Sequence, residues 1–385
     1  MSSPGTVIKR GSTYSVVLDL GRGPDGRRVR KWHSGYRTKK DAERARVELL
    51  GRLQRGEYVD PAKVTLAAYL DRWLEHMASI GRDERTVERY GELLHLHVTP
   101  HLGGLRLQQL APMHLSDLYA KLLREGRRDG RPGGLSARSV LHVHRALHRA
   151  LRQAVRWRLL AVNPAADLEL PPVAAAPMVT LTHEQARALL AAAEGWQYTL
   201  VLLGLATGAR LGELLALRWT DVDLQVGTVR IGRSLRVVGR RLQVKGPKTE
   251  AGYRTVALGP TAAAALRRLR AEQAERRLVL GAEYDAAADL VICKPDGGPY
   301  RPDSASTMFR ALVRRAGLPD TIHVHTLRHS AASFLAADGV PASDIAAQLG
   351  HADGGALALK VYVHPLAEGL TRAAAHLDRV IGGGQ

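Results

Sequence analysis

The rhythm of hydrophobic and polar residues changes three times along the chain. Tyr14 to Leu20 is a run of β-formers, Pro24-Asp25-Gly26 is a turn signal, and Arg27 to His33 alternates basic and apolar side chains as a returning strand does. A three-stranded sheet is expected here. Thr38 then takes the N-cap place of a helix over Lys39 to Arg55, with Ala42, Ala45, Leu49 and Leu53 on one stripe and Gly56 at its end. From Thr65 the period becomes helical for about a hundred residues. Thr65 caps a helix with Tyr69, Leu70, Trp73 and Leu74. Thr86 is expected to cap the next, with Val87, Tyr90, Leu93 and Leu94. Ala111-Pro112 opens Leu115 to Leu123, and Ser136 opens a long helix through Trp157. Arg124 to Arg131 alternates Arg with Gly and reads as a loop.

Leu168 to Pro177 carries Pro171, Pro172 and Pro177 among small residues and reads as a linker. Thr182 caps the first helix of a larger region that mixes helices with a hairpin-rich stretch, Val226 to Leu258. The pattern predicts a mixed α/β chain, mainly α. It divides into a small N-terminal sheet-plus-helix domain (1–60), a helical domain (65–170), a linker (171–177) and an α+β domain (178–385). No solenoid repeat is present.

Charge narrows the class of partner. In 385 residues, 56 Lys and Arg face 37 Asp and Glu, a net charge of +19. The excess is spread, 7 in residues 1–60, 6 in 61–172 and 6 in 173–385, so several units are each positive. A self-repelling chain of this kind is best offset by a polyanion, and nucleic acid is the leading partner. Arg27, Arg28, Arg30 and Lys31 on the sheet, and Arg127, Arg128 and Arg131 in the basic loop, are the candidate DNA contacts. No apolar run is long enough to span a membrane, and the start MSSPGTVIKR lacks the apolar stretch of a secretory signal. The expectation is a cytoplasmic protein without a membrane partner. Cys293 is the sole cysteine, which excludes an intrachain disulfide and a Cys-based metal site. It reads as an inert buried thiol.

Candidate chemistry lies in the last region. The apolar helix Tyr198 to Ala206 ends at Thr207-Gly208, and a second begins Ala209-Arg210-Leu211-Gly212-Glu213. Arg210 and Glu213, three apart, are expected to share a helix face, so that the carboxylate holds the guanidinium. Pro247-Lys248-Thr249 forms the expected tip of a hairpin between strands ending at Val244 and beginning at Arg254, which gives a lysine able to swing into a site. His323 to Ser330 (HVHTLRHS) puts His325 and Arg328 on one helical turn. Leu349-Gly350-His351 closes a short helix, and Tyr362 follows in an apolar segment.

Together these boxes resemble the tyrosine recombinases, the family that includes phage integrases. The resemblance rests on Ala-Arg-Leu-Gly-Glu at 209–213, Pro-Lys-Thr at 247–249, His-Thr-Leu-Arg-His at 325–329, Leu-Gly-His at 349–351 and Tyr362, in that order. It covers most of the chain: residues 65–170 look like the family's core-binding domain and 1–60 like its arm-binding domain. One departure is the interval from His351 to Tyr362, eleven steps with Gly354-Gly355 inside it, where the family more often has ten.

The chemistry suits these residue types. Attack of an oxygen nucleophile on a phosphodiester develops a second negative charge, so the site needs fixed donors. Arg210 and Arg328 supply guanidinium groups that cannot lose their protons near neutrality. The resemblance implies that Tyr362 is the nucleophile, that His325 and His351 sit at the phosphate with His325 the better base, and that Lys248 protonates the departing 5′ oxygen. The 3′-phosphotyrosyl ester keeps the bond energy, so no cofactor, metal or ATP is expected; the chain carries no Walker loop and no paired acidic cluster of the two-metal nuclease type. The runs His95-x-His97-x3-His101 and His142-x-His144-x3-His148 lack a Cys or acidic neighbour and read as helix faces near phosphate rather than as metal sites.

By resemblance the partners are double-stranded DNA at core-type and arm-type sites, three further subunits in a tetramer, and a possible excision or DNA-bending factor. The segment from Gly369 to Gln385 is amphipathic and could dock on a neighbour or on its own domain. The alternatives are a regulator with relic catalytic residues and a type IB topoisomerase.

Overall fold

The computed structural model describes residues 5–22, 26–54, 58–59, 63–128, 130–174, 177–247 and 250–350. Lys248, His351, Tyr362 and the segment from Gly369 to Gln385 therefore lie outside the described residues. The chain divides into two compact units, 1–174 and 175–385.

The first unit opens with an antiparallel sheet of β1 (Gly5–Arg10), β2 (Thr13–Arg22) and β3 (Arg28–Tyr36), in that order. The short strand β1 precedes the pattern recognised in the sequence. Helix α1 (Lys39–Gln54) covers one face, and Val16, Leu18 and Ala42 form the small core. Its N-cap is Thr38, whose hydroxyl accepts the Asp41 N–H at 3.1 Å. Period two sends Arg28, Arg30 and Trp32 to the other, exposed face, and the Arg10 guanidinium lies 5.1 Å from the Trp32 ring.

The same unit continues with α2 (Leu66–Ser79), α3 (Glu84–His97), the single turn α4 (Thr99–Leu102), α5 (Pro112–Glu125) and α6 (Ala137–Arg156). Buried Val140, Val143, Leu147, Ala150, Leu151 and Ala154 trace one stripe of α6, and each fully buried leucine contributes about 1.5–3 kcal/mol. The Tyr69 hydroxyl donates to the Ala150 carbonyl at 2.6 Å and ties α2 to α6. Helix α3 starts one turn earlier than the sequence suggests: Asp83, not Thr86, is its cap, and the Asp83 carboxylate accepts the Thr86 N–H at 3.3 Å. Leu168 and Leu170, expected in a linker, pack against this helical core.

The second unit holds α7 (His183–Ala192), α8 (Trp196–Thr207) and α9 (Leu211–Leu215), followed by β4 (Val222–Asp223), β5 (Thr228–Ile231), β6 (Ser234–Val238), β7 (Arg241–Lys245) and β8 (Arg254–Ala257). Among the described residues four helices follow: α10 (Pro260–Leu280), α11 (Pro302–Arg315), α12 (Val324–Ala337) and α13 (Ala342–Leu349). Helix α8 is apolar almost all round because it is central, and Leu200, Val201 and Leu203 join Leu214, Ile231, Phe309 and Leu327 in one core.

Strand β8 pairs with β5, giving the order β4-β5-β8, whereas β6 and β7 form a separate two-stranded sheet. Residues 246–253 therefore connect two sheets and are not the tip of a β7–β8 hairpin. Pairing partners of this kind are non-local, so the local sequence pattern does not reveal them.

Helices α8 and α12 approach through Gly204. A Cβ there would stand 2.7 Å from Leu327 Cδ1 and 3.3 Å from its Cβ, so Leu327 would have to shift to admit it.

Candidate active site

Helix α8 ends at Gly208, whose φ of 62° is the left-handed conformation that relieves a helix C-terminus. The chain then turns to Arg210 in an extended conformation (φ −74°, ψ 153°), which makes Arg210 the N-cap of α9 rather than a residue of its face. The expected pairing with Glu213 forms nonetheless, by a different route. The Glu213 carboxylate accepts the Arg210 backbone N–H and one Nη–H, both at 2.9 Å. Glycine is required two residues on, because a Cβ at Gly212 would meet the Leu235 carbonyl oxygen at 2.6 Å where α9 lies against β6.

Glu213 has a second partner that the sequence analysis missed. The Arg254 guanidinium, at the start of β8, donates to Glu213 Oε2 at 2.8 Å. Burial alone would raise the Glu213 carboxyl; the hydrogen bond and charge of Arg254, then the bonds from Arg210, outweigh it and hold the group below the usual carboxylate range. Nothing in the sequence around Arg254 distinguishes it from other strand arginines.

Helix α12 supplies the other half. His323 caps it, with its N–H donating to Thr326 Oγ1 at 3.1 Å. Leu327 faces the core. Arg328 is buried, and its Nη1 donates to the Gly208 carbonyl at 2.8 Å, two residues from Arg210. The His325 ring stands edge-on to His329, with centroids 4.5 Å apart. Loss of hydration, followed by the proximity of His329, Arg328, His323 and Arg210, depresses the His325 pKa to about 4. The ring nonetheless keeps an edge open to solvent. At neutral pH the ring is a neutral acceptor open to solvent.

A cleft of about 370 Å³ lies beside Arg210 and Glu213, lined also by Ser234, Arg236, Lys245, Gly252 and Gly350. Two segments more than a hundred residues apart in sequence thus deliver Arg210 with Glu213, and His325 with Arg328, to one neighbourhood. Its chemistry suits an anion: guanidinium donors, a neutral imidazole and few acids.

The other candidate residues are placed as follows. Arg28 and Arg30 flank Asp19 at 3.9 Å each, and Arg27 is exposed; Lys31 turns partly toward α1 and does not share the face of Arg28 and Arg30. Arg127, Arg128 and Arg131 are exposed. Of the histidine runs, His97 and His144 are buried and so do not lie on the exposed helix faces expected, whereas His95 and His142 are exposed; His144 bonds the Tyr119 hydroxyl at 3.2 Å, and His95 pairs with Asp71 at 2.8 Å. Among the described residues no three His, Cys, Asp or Glu side chains gather as metal ligands would, and no helix is long and apolar enough to cross a membrane. Cys293 is buried and accepts from Gln273 at 3.3 Å.

Comparison with known proteins gives this arrangement its class. The model of the phage integrase family matches residues 179–368, that of the phage integrase N-terminal SAM-like domain 65–123, and that of an arm DNA-binding domain 7–53. An integrase of Streptomyces ambofaciens is 31% identical over 362 residues, 91% of this chain and 88% of its own. A protein named tyrosine recombinase XerC-like from Caldanaerobacter subterraneus subsp. tengcongensis is 26% identical over 400 residues, 98% of this chain and 99% of its own. The fold is shared with the Tn1549 transposon integrase, solved in complex with a circular intermediate DNA (TM-score 0.66, 19% identity, 82% of this chain and 100% of that one). It is shared also with lambda integrase, solved as a dimer bound to a core site (TM-score 0.58, 18% identity, 93% and 94%). The chain belongs to the phage integrase family of tyrosine recombinases.

Proposed function

We propose that the protein cuts and rejoins DNA at specific sites to integrate or excise a mobile element, with Tyr362 as the nucleophile. The Tyr362 phenol oxygen bonds to phosphorus as the bond to the 5′ oxygen breaks, which leaves a 3′-phosphotyrosyl ester and a free 5′ hydroxyl. Arg210 and Arg328 grip the nonbridging oxygens and stabilise the added charge. His325 takes the phenol proton, Lys248 returns one to the leaving oxygen, and His351 completes the phosphate site. Attack by a second 5′ hydroxyl reverses the step with no energy source, cofactor or metal.

The observation that carries this reading is the convergence of segments more than a hundred residues apart: Arg328 donates to the Gly208 carbonyl, His325 lies close enough to Arg210 and Arg328 to feel their charge, and Arg210 lines the cleft. The depressed His325 pKa is that of the unliganded site. A phosphate adds negative charge, and the transition state adds more, so proton affinity at His325 rises as the phenol proton must leave.

Residues 1–60 act as an arm-type DNA-binding domain through Arg27, Arg28 and Arg30, with Lys31 on the other side of the strand adding charge rather than sharing their face. Residues 65–170 act as the core-binding domain, with Arg127, Arg128 and Arg131 on the phosphate backbone, and 178–385 as the catalytic domain after the linker 171–177. The working assembly is a cytoplasmic tetramer on two DNA sites, served by an excision or bending factor.

Trapping on a nicked suicide substrate tests the core of this reading. Wild type is expected to form a covalent protein–DNA adduct and Tyr362→Phe none; equal yields from the two overturn it.

A further inference from the structure

Arg254 lies at the meeting point of three segments. Its side chain is 5% exposed, against 47% for Arg210, and both guanidinium groups hold the same carboxylate, Glu213. Its Nη2 donates to Glu213 Oε2 at 2.8 Å, its Nε to the Gln348 carbonyl at 2.7 Å, and its Nη1 to the Gly252 carbonyl at 3.4 Å. Gln348 lies in the last turn of α13, three residues before His351. Gly350, at φ 68°, packs against the same guanidinium, and a Cβ there would meet Arg254 Nη1 at 3.0 Å and the Ala251 carbonyl at 2.8 Å.

We propose that Arg254 is a positioning residue for strand cleavage: through Glu213 it fixes Arg210 at the cleft, and through the Gln348 carbonyl it fixes the end of the helix that leads to His351.

Charge gives this arrangement a second effect. A carboxylate shared with Arg210 alone would cancel the positive charge that an incoming phosphate needs. With the buried Arg254 as counter-ion, the Arg254–Glu213–Arg210 chain keeps one net positive charge, and that charge sits on the exposed member. Arg236 and Lys245 line the same cleft, and among the described residues that line it Glu213 is the sole acid. A lysine at 254 would keep the charge. Its single ammonium cannot reproduce a planar fork aimed at a carboxylate and two carbonyls.

The proposal rests on the reading of Arg210 as a phosphate ligand, and the experiment separates the two. Single-turnover cleavage of a suicide substrate, DNA affinity and thermal unfolding are measured on the full chain for wild type, Arg254→Lys, Arg254→Met, Glu213→Gln and the Met/Gln double variant. For Arg254→Met, cleavage is expected to fall about tenfold or more with DNA affinity changed less than about threefold, because affinity is spread over many phosphate contacts. Arg254→Lys is expected to recover part of the rate. In the Glu213→Gln background the Met substitution is expected to cost much less than it does alone, since Arg254 acts on Arg210 through that carboxylate. A wild-type rate in folded Arg254→Met, or losses that simply multiply in the double variant, overturns the proposal. Should Arg254→Met not fold, Arg254→Lys decides: a rate reduced about threefold or more at unchanged affinity supports it, and a wild-type rate overturns it. Absence of any adduct with wild type would instead overturn the reading of the reaction.

Discussion

Substitution of Gly208 by alanine isolates the packing that holds Arg210 in place. Two costs apply. A residue with a Cβ at φ 62° loses about 1–2 kcal/mol relative to glycine. The new Cβ would also lie 2.4 Å from Leu349 Cδ2, and forcing a methyl into a filled core costs about 1–3 kcal/mol more, as Leu349 must leave its packed position. Gly317 provides the control. It also follows a helix in the same unit, one residue after the Ala316 cap of α11, and is left-handed at φ 68°, but a Cβ there meets nothing within 4 Å. Gly317→Ala should thus show the backbone cost alone. For a unit of this size, about 2–4 °C per kcal/mol puts the Gly208→Ala unfolding transition about 2–12 °C below that of Gly317→Ala. Calorimetric unfolding of the full chain, each variant against wild type, reads this difference. Coincident transitions for the two variants would refute the argument that Leu349 fills the space over Gly208.

Two further outcomes follow from the geometry. NMR titration of the His325 ring in the DNA-free protein should show a midpoint near 4, below the unfolded value of about 6.5; the folded state then binds fewer protons than the unfolded one, so this group's contribution to stability is complete above about pH 6.5 and is lost as pH falls toward 4, and a midpoint near 6.5 would contradict the charge environment described. Ser330→Ala should lower stability by about 1–3 kcal/mol, because the buried Ser330 hydroxyl accepts the Leu181 N–H at 2.8 Å and no water can replace it; an unchanged urea midpoint at unchanged slope would show that N–H to be satisfied otherwise.

What the sequence shows well is chemistry confined to a few neighbouring residues. Thr65, Ser136 and Thr182 are legible as caps because each hydroxyl reaches an N–H three residues on, and Pro112 because proline suits a first helical turn. Asp83 was obscured by Thr86, a residue of equal capping ability one turn away. The motif residues Arg210, Glu213, His325 and Arg328 are legible as a set, yet the conformation of Arg210 is not, since three-residue spacing fits a cap as well as a helix face. Arg254 is hidden because its partners, Glu213 and Gln348, lie 41 and 94 residues away. The sheet exchange at 246–253 is hidden for the same reason. Nor does spacing reveal which way a helical histidine points, and so His144, on the inner stripe of α6, reads in sequence much like its neighbours.

The contact of Gly204 with Leu327 has a consequence for the candidate site. It lets the helix that ends just before Arg210 come close to the helix that bears Arg328, so carbon packing helps to place the backbones from which the two arginines extend. On the reading that Arg210 and Arg328 hold a phosphate, a single methyl at position 204 would press on Leu327 and so act on the site's width without altering one charge.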